Sequence, residues 1–257
     1  MVNKVTPDTM LSASRLPAVM GLSKWSTPND ELEFSINALN GKERPDIGNE
    51  AMEWGNTLEP VILAEAAKRL QLSDVITDHA EAVFHDVWPL AASLDGTGNG
   101  NGKVVVSDPD AGIYVIGQDS ITLDGIGVIE AKATKVQAED VPALYRGPVQ
   151  LQAQMSIVKA QWGCVAVLYQ GSELRLFLFA PHQPTLKAIK NVSTEFQQKL
   201  DDYEATGIVE YYEPQDEERW PLLRGNYPVS EETLALPNSA EMVAHRINEA
   251  KKKMQEA

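Results

Sequence analysis

Gly127-Val128-Ile129-Glu130-Ala131-Lys132 is an apolar run that ends in a carboxylate and an ammonium two residues apart. In a strand, side chains repeat every two residues, so Glu130 and Lys132 share one face while Ala131 points the other way. Charges on the face of an otherwise apolar strand are costly to bury without partners or a metal. Upstream, Trp88-Pro89-Leu90-Ala91-Ala92-Ser93-Leu94-Asp95-Gly96 is a second apolar run that ends in an acid. Two strands delivering Asp95, Glu130 and Lys132 to one point make a compact site for a divalent cation and a phosphate. Taken alone, Glu-x-Lys is more often a solvated ion pair at a strand edge, worth little. The rest of the chain decides.

At 257 residues the chain suits one large domain, or a domain plus an appendage. Its apolar and charged fractions are those of a soluble globular protein. No stretch approaches the roughly 18 uninterrupted apolar residues of a membrane span. The start, Met1-Val2-Asn3-Lys4-Val5-Thr6-Pro7-Asp8, has no apolar signal core. A cytoplasmic protein with no membrane partner is expected. Cys164, the one cysteine, lies in an apolar run and reads as a small buried hydrophobe. One cysteine and four scattered histidines give no structural zinc pattern. The net charge of −15 counts against nucleic acid as a partner, and there is no basic stripe. Its distribution softens the objection. Residues 201–257 hold 13 acids and 6 bases, a net −7, which leaves −8 for residues 1–200. A metal-dependent site also needs uncompensated carboxylates, whose local charge inverts once cations bind.

The elements follow from local signals. Ser14 is a plausible N-cap for a short helix with Pro17 in its first turn, ended by Gly21. The simplest account is a capped surface helix. Beside it stands a functional one, in which Ser14, Arg15 and Lys24 gather at a phosphate. Thr27-Pro28-Asn29-Asp30-Glu31 opens a second helix with Leu32, Ile36 and Leu39 on its apolar face. A third begins near Asn49, and Pro60 is expected to break or kink it just after Glu59. Strands are expected at 82–84, 90–94, 103–107, 113–116 and 127–131, as a mostly antiparallel meander. Gly96-Thr97-Gly98-Asn99-Gly100-Asn101-Gly102 reads as a flexible turn. No helical pattern follows it, so it is not a phosphate-cradling glycine loop. Residues 149–160 alternate like a strand, but Gln, Leu, Ala and Met favour a helix, which puts Gln152 and Ser156 on one face. A hairpin follows at 164–169 and 174–179, then a helix at 185–205, an acidic linker and a polar helical end.

Taken together, these residues resemble the PD-(D/E)xK nuclease superfamily, and within it the YqaJ-type viral recombinases, the lambda exonuclease family. The segments that carry the resemblance lie in order within residues 11–200. They are Leu11-Ser12-Ala13-Ser14 with Gly21-Leu22-Ser23-Lys24-Trp25, then Trp54-Gly55-Asn56-Thr57-Leu58-Glu59-Pro60, Ser93-Leu94-Asp95-Gly96, Ile129-Glu130-Ala131-Lys132, and Val149-Gln150-Leu151-Gln152-Ala153-Gln154-Met155. The resemblance implies an α/β fold: a restriction-endonuclease-like core with a central mixed sheet flanked by helices. A nuclease domain at 1–205 and an acidic linker with a C-terminal helical appendage at 206–257 would complete the chain.

It also implies roles. Asp95 and Glu130 would ligate Mg²⁺ or Mn²⁺, helped by the Ala131 carbonyl and by Glu59. Lys132 and Gln152 would orient and activate the attacking water. Ser14 and Lys24 fall where the family holds the 5′-phosphate of a DNA end, with Arg15 a neighbouring candidate. The expected activity is exonucleolytic digestion of duplex DNA ends, 5′ to 3′, leaving 3′ single-stranded tails for a single-strand annealing protein. The setting would be a bacterial host cell carrying a phage or prophage. A homo-oligomer, a trimer by preference, would surround the DNA. The alternatives are an endonuclease or repair nuclease of the same superfamily, or a noncatalytic phage assembly protein with a relict core.

Overall fold

The computed structural model describes residues 6–42, 48–77 and 79–213. From the N-terminus the chain forms α1 (Leu16–Val19), α2 (Pro28–Leu39) and α3 (Glu50–Leu70), then short strands β1 (Ser73–Ile76), β2 (Val83–Phe84) and β3 (Ala91–Ala92). Next come β4 (Gly96–Asn99), β5 (Lys103–Val106), a 3₁₀ turn, β6 (Ile113–Val115), β7 (Ser120–Leu123) and β8 (Ile126–Thr134). Last are α4 (Pro148–Val158), β9 (Gly163–Tyr169), β10 (Glu173–Phe179) and α5 (Gln183–Thr206). Met1–Tyr212 makes one compact unit, with Tyr212 buried and hydrogen-bonded to Asn29. The expected linker and C-terminal helix lie, from residue 214 onward, outside the described residues.

The decisive run becomes β8, near the middle of a six-stranded sheet ordered β1-β4-β8-β9-β10-β6. The expected meander is only half of this sheet. The pairs β8–β9 and β10–β6 are parallel and the others antiparallel. Two parallel strands need a crossover, and α4 supplies it between β8 and β9. Alternation along β8 then does what the sequence asks. Ile129 packs with Ile62, Leu63, Ala66 and Leu70 of α3, while Val128 packs on the opposite face with Leu151 and Met155 of α4. Outside α4, a further cluster joins Leu16, Leu32, Ile36, Ile189, Phe196 and Leu200 of α1, α2 and α5. Each such buried aliphatic or aromatic side chain contributes about 1.5–3 kcal/mol.

Three local expectations need correction. Pro60 lies inside α3, which continues through it unbroken. Burial of Ile62, Leu63, Ala66, Ala67 and Leu70 against the sheet holds the turn that a missing N–H weakens. The glycine-asparagine run is no flexible turn over its first half, because Gly96–Asn99 is β4. A Cβ on Gly98 would stand 2.9 Å from Leu72 Cδ1, and one on Gly96 3.0 Å from Leu63 Cδ2. Glycine here lets the helical layer press onto the strand, and only Asn101 and Gly102, both at positive φ, turn the chain. Finally, Ser14 does not cap α1. The N-cap position is Arg15, without a side-chain capping bond. By contrast Thr27 and Asp30 form a capping box on α2, and Asn49 caps α3 by accepting from the Met52 N–H.

Candidate active site

The β4–β8 ladder ends at the Gly96–Ile129 pair, and beyond that pair side chains replace backbone partners. The Asp95 Oδ2 accepts from the Ala131 N–H at 2.9 Å. In a strand the N–H and C=O of one residue face the same neighbour, so the Ala131 carbonyl lies on the Asp95 edge. Glu130 is completely buried, and its Oε1 is 2.5 Å from the Lys132 Nζ. Its Oε2 accepts from the Gln154 Nε2 at 2.7 Å, and that amide also donates to the Ser93 carbonyl at 3.1 Å. Lys132 keeps 31% of its side chain exposed and donates to the Gln150 Oε1 at 3.2 Å.

Asp95, Glu130, Ala131, Lys132, Gln150 and Ser93 line one open cavity of about 360 Å³, together with Ser14, Asn56, Glu59 and Thr6, while Gln154 lies behind it. Burial, and then the Asp95 carboxylate, pushes Glu130 up to about 7, against the opposing pull of Lys132 and Gln154. Desolvation works to lower the Lys132 ammonium, but Glu130, Asp95 and Glu59 outweigh it and hold it above its ordinary value. The site therefore pairs a charged lysine with more carboxylate than that lysine offsets.

Among the described residues, no three of His, Cys, Asp and Glu stand together as a ready metal cage. Asp95 and Glu130 form a pair of hard oxygen donors, and Glu59 shares the cavity with them. Apart from the lysine ammonium, the buried Glu130 Oε1 has no hydrogen-bond partner among the described residues. Two carboxylates with room for water and phosphate suit Mg²⁺, which prefers such sites to all-protein cages.

The structure divides the expected site residues. Asp95, Glu130, Ala131, Lys132, Glu59 and Ser14 meet at the cavity, whereas Gln152, Arg15 and Lys24 are not in its lining. Gln152 is turned away: its Nε2 donates to the Ala180 carbonyl and its Oε1 accepts from the His182 N–H, both at 2.8 Å. Helix geometry explains this, since residues two apart differ by about 200° around the axis. Gln150 and Gln154, four apart, share the face that meets β8, and they are the glutamines that sequence reasoning missed. The signal was present as the i, i+4 spacing, and only an anchor on β8 was lacking to choose the face.

Arg15 is structural. Its guanidinium pairs with Glu31 at 2.6 Å and donates to Ser35 and to the carbonyls of Glu31, Met10 and Asp8. It also stacks on Phe34 and Phe196. All five of its donors are occupied, which leaves none for a phosphate. Lys24 is exposed, with its Nζ 5.5 Å from the centroid of the Tyr145 ring.

The chain matches the family model of the YqaJ-like viral recombinase domain over residues 6–161. A comparison with curated proteins gives no match. Among solved structures, the alkaline exonuclease LHK-Exo of Laribacter hongkongensis is similar in fold. It is 17% identical with a TM-score of 0.53, over 87% of this chain and 96% of that one. LHK-Exo in complex with dAMP gives 18% identity and a TM-score of 0.52, over 76% of this chain and 89% of that one.

Proposed function

The chain belongs to the family of YqaJ-like viral recombinase domains, and from that premise we propose that it is a Mg²⁺- or Mn²⁺-dependent exonuclease acting on the ends of duplex DNA. The observation that carries the reading is the fully buried Glu130, set beside Asp95 and held by the Lys132 ammonium at the floor of an open cavity. That excess of negative charge calls for a cation.

Asp95 and Glu130 would hold the metal, with the Ala131 carbonyl beside them and Glu59 directly or through water. When bound, the metal supplies a lowered water pKa and offsets charge on the phosphorane-like transition state. The chain's own groups do the rest. Lys132, kept cationic by its three carboxylate neighbours, orients the attacking water and neutralises charge developing on the phosphate. Gln150, bonded to Lys132, fixes the direction of its ammonium. Gln154 clamps the Glu130 carboxylate to the Ser93 backbone. Ser14, at the cavity wall, would donate to a terminal 5′-phosphate.

In this reading, digestion runs 5′ to 3′, releases 5′-phosphorylated nucleotides and leaves 3′ tails for a single-strand annealing partner. The family's viral recombinase character supports phage recombination in a bacterial cytoplasm. The described residues contain no helix long and apolar enough to cross a membrane. Several copies, three by resemblance, would surround the duplex and so help an acidic chain retain its substrate.

The test is to mix the full chain with linear duplex and with covalently closed circular duplex, with and without Mg²⁺. Nucleotide release from linear DNA alone, dependent on the metal, is expected. Equal cutting of the closed circle would make the protein an endonuclease. No hydrolysis with Mg²⁺ or Mn²⁺ would remove the enzymatic reading.

A further inference from the structure

Trp25 stands out on the surface. It is 78% exposed and meets the Tyr145 ring edge-on, with centroids 5.4 Å apart and planes at 77°. The neighbouring Lys24 places its ammonium 5.5 Å from the same Tyr145 ring, and the Arg146 guanidinium lies 5.2 Å from its centroid. What sets this indole apart from other exposed apolar side chains is the aromatic ring and the two cations gathered against it. Two chain segments tie this cluster to elements that line the catalytic cavity. On one side, the Leu22 and Ser23 N–H groups fold back onto the Pro17 carbonyl at 2.7 and 3.0 Å, three residues from the cavity residue Ser14. On the other, the Val149 N–H donates to the Leu144 carbonyl at 3.4 Å. That bond folds Tyr145 against the first turn of α4, where Gln150 lines the cavity.

The chemistry of the cluster is that of a single-strand binding surface. Indole and phenol rings stack on any base, and an ammonium beside them attracts the phosphate between bases. The T-shaped geometry engages Tyr145 at its edge contact with Trp25 and leaves the exposed indole available to a base. A network behind the cluster holds Tyr145 in place. Arg146 donates to the Tyr145 hydroxyl at 3.0 Å and pairs with Glu139, which in turn accepts from the Tyr169 hydroxyl at 3.3 Å. The Arg175 guanidinium anchors the Glu139 carbonyl at 2.9 Å. A ring held in place this way loses little entropy when a base meets it.

We propose that Trp25, Tyr145 and Lys24 form a nucleobase-stacking platform that grips an unpaired DNA strand next to the catalytic cavity. The proposal rests on the nuclease reading for the identity of the strand. Stacking explains how a net-acidic chain holds a polyanion at this point, because the contact gains from base faces and not only from phosphate charge. The occupant is therefore a single strand with bases exposed, either the strand being digested or the tail left behind.

The experiment uses the full chain without divalent cation, so that no hydrolysis intervenes, and two probes of equal length. One is a short oligothymidylate and the other the same sugar-phosphate chain with every base removed. Oligothymidylate is expected to quench tryptophan fluorescence and to bind more tightly than the abasic chain. Trp25→Leu should abolish most of the quench and weaken oligothymidylate roughly tenfold, the worth of one stacked base. The same substitution should leave the abasic affinity unchanged, and Trp25→Phe should keep most of the oligothymidylate affinity. Equal binding of the two probes by the wild type, or wild-type oligothymidylate affinity in Trp25→Leu, would overturn the platform. Because binding is read without cutting, the two readings fail separately. A chain that digests duplex ends yet ignores bases loses only the platform, and one that stacks bases yet never hydrolyses DNA loses only the nuclease.

Discussion

Two partly buried ion pairs in this molecule look alike and behave as opposites. At Arg15–Glu31 every guanidinium donor has an acceptor, and the second Glu31 oxygen accepts from Ser26. At Lys132–Glu130 the carboxylate is fully buried, faces a second carboxylate, and sits well above the usual carboxylate range. A charge whose hydrogen-bonding capacity is used up inside the fold has nothing left to offer a ligand. One that burial leaves undercompensated is poised to take a cation. The lesson concerns satisfaction rather than burial, and it separates a pair closed to ligands from one open to a cation without reference to sequence position.

The sharpest way to break that contrast is to remove the cation from each pair. Lys132→Met should lower exonuclease turnover by about two to four orders of magnitude, the usual worth of a proton-handling group, while the protein stays folded. Measured on linear duplex with Mg²⁺, near-normal turnover in Lys132→Met would sink its assignment. Arg15→Ala should do the reverse. It leaves Glu31 with only its Ser26 donor and strands several half-buried carbonyls, so stability should fall by about 2–4 kcal/mol in denaturant unfolding. Turnover per folded molecule should stay near the wild-type value. A specific loss of 5′-phosphate recognition in a stable Arg15 variant would restore the phosphate role that the structure denies it.

A smaller effect tests the undercompensated carboxylate itself. Glu130 holds its proton up to about pH 7 in the fold, against 4.5 as its ordinary value. Between those two values the folded state binds more protons than the unfolded chain, so stability falls as pH rises through that window. Metal-free protein should therefore be more stable near pH 5 than near pH 8, by on the order of 3 kcal/mol from this group alone. Glu130→Gln should flatten that part of the profile, and Mg²⁺ should restore stability at the alkaline end. A metal-free melting temperature that climbs steadily from pH 5 to 8 in wild type, unchanged in Glu130→Gln, would contradict the picture.

How much of this was legible beforehand depended on whether a feature was local. The β8 run and the opening of α2 at Thr27 are written in periodicity and short-range chemistry, so they could be read directly. By contrast, the strand expected at 90–94 is only Ala91–Ala92, and Asp95 stands at the bend before β4 rather than at that strand's end. The parallel pairing of β8 with β9 could not be read directly, because it depends on where α4 carries the chain. The strand at Gly96–Asn99 hid for a related reason. Its glycines serve the close approach of Leu63 and Leu72, and those partners are distant in sequence. Arg15 looked like a phosphate ligand from its neighbours Ser14 and Lys24, and only the fold brings Glu31 and Ser35 to it. Even Pro60, a dependable local signal, yielded to the burial of the turn that follows it.

The three glutamines of α4 give the smallest and most discriminating test, since one helix presents them to two different environments. Gln150 meets Lys132, and Gln152 bridges the Ala180 carbonyl and the His182 N–H at the start of α5. Gln150→Ala should cost turnover on the order of a hundredfold, as expected for one positioning partner of a catalytic ammonium, with little change in unfolding free energy. Gln152→Ala should cost about 2 kcal/mol of stability, because it strands two backbone groups where α4 meets α5, and leave turnover per folded molecule intact. Exchanged outcomes, with Gln152→Ala inactive and stable and Gln150→Ala active, would return the water-orienting role to Gln152. They would also mean that α4 turns by about 200° when DNA is bound. A helix wedged between two packed layers, with Leu151 and Met155 on one side and Val149, Ala153 and Ile157 on the other, resists such a rotation. The packing of α4, more than any one hydrogen bond, therefore decides which glutamine faces the cavity.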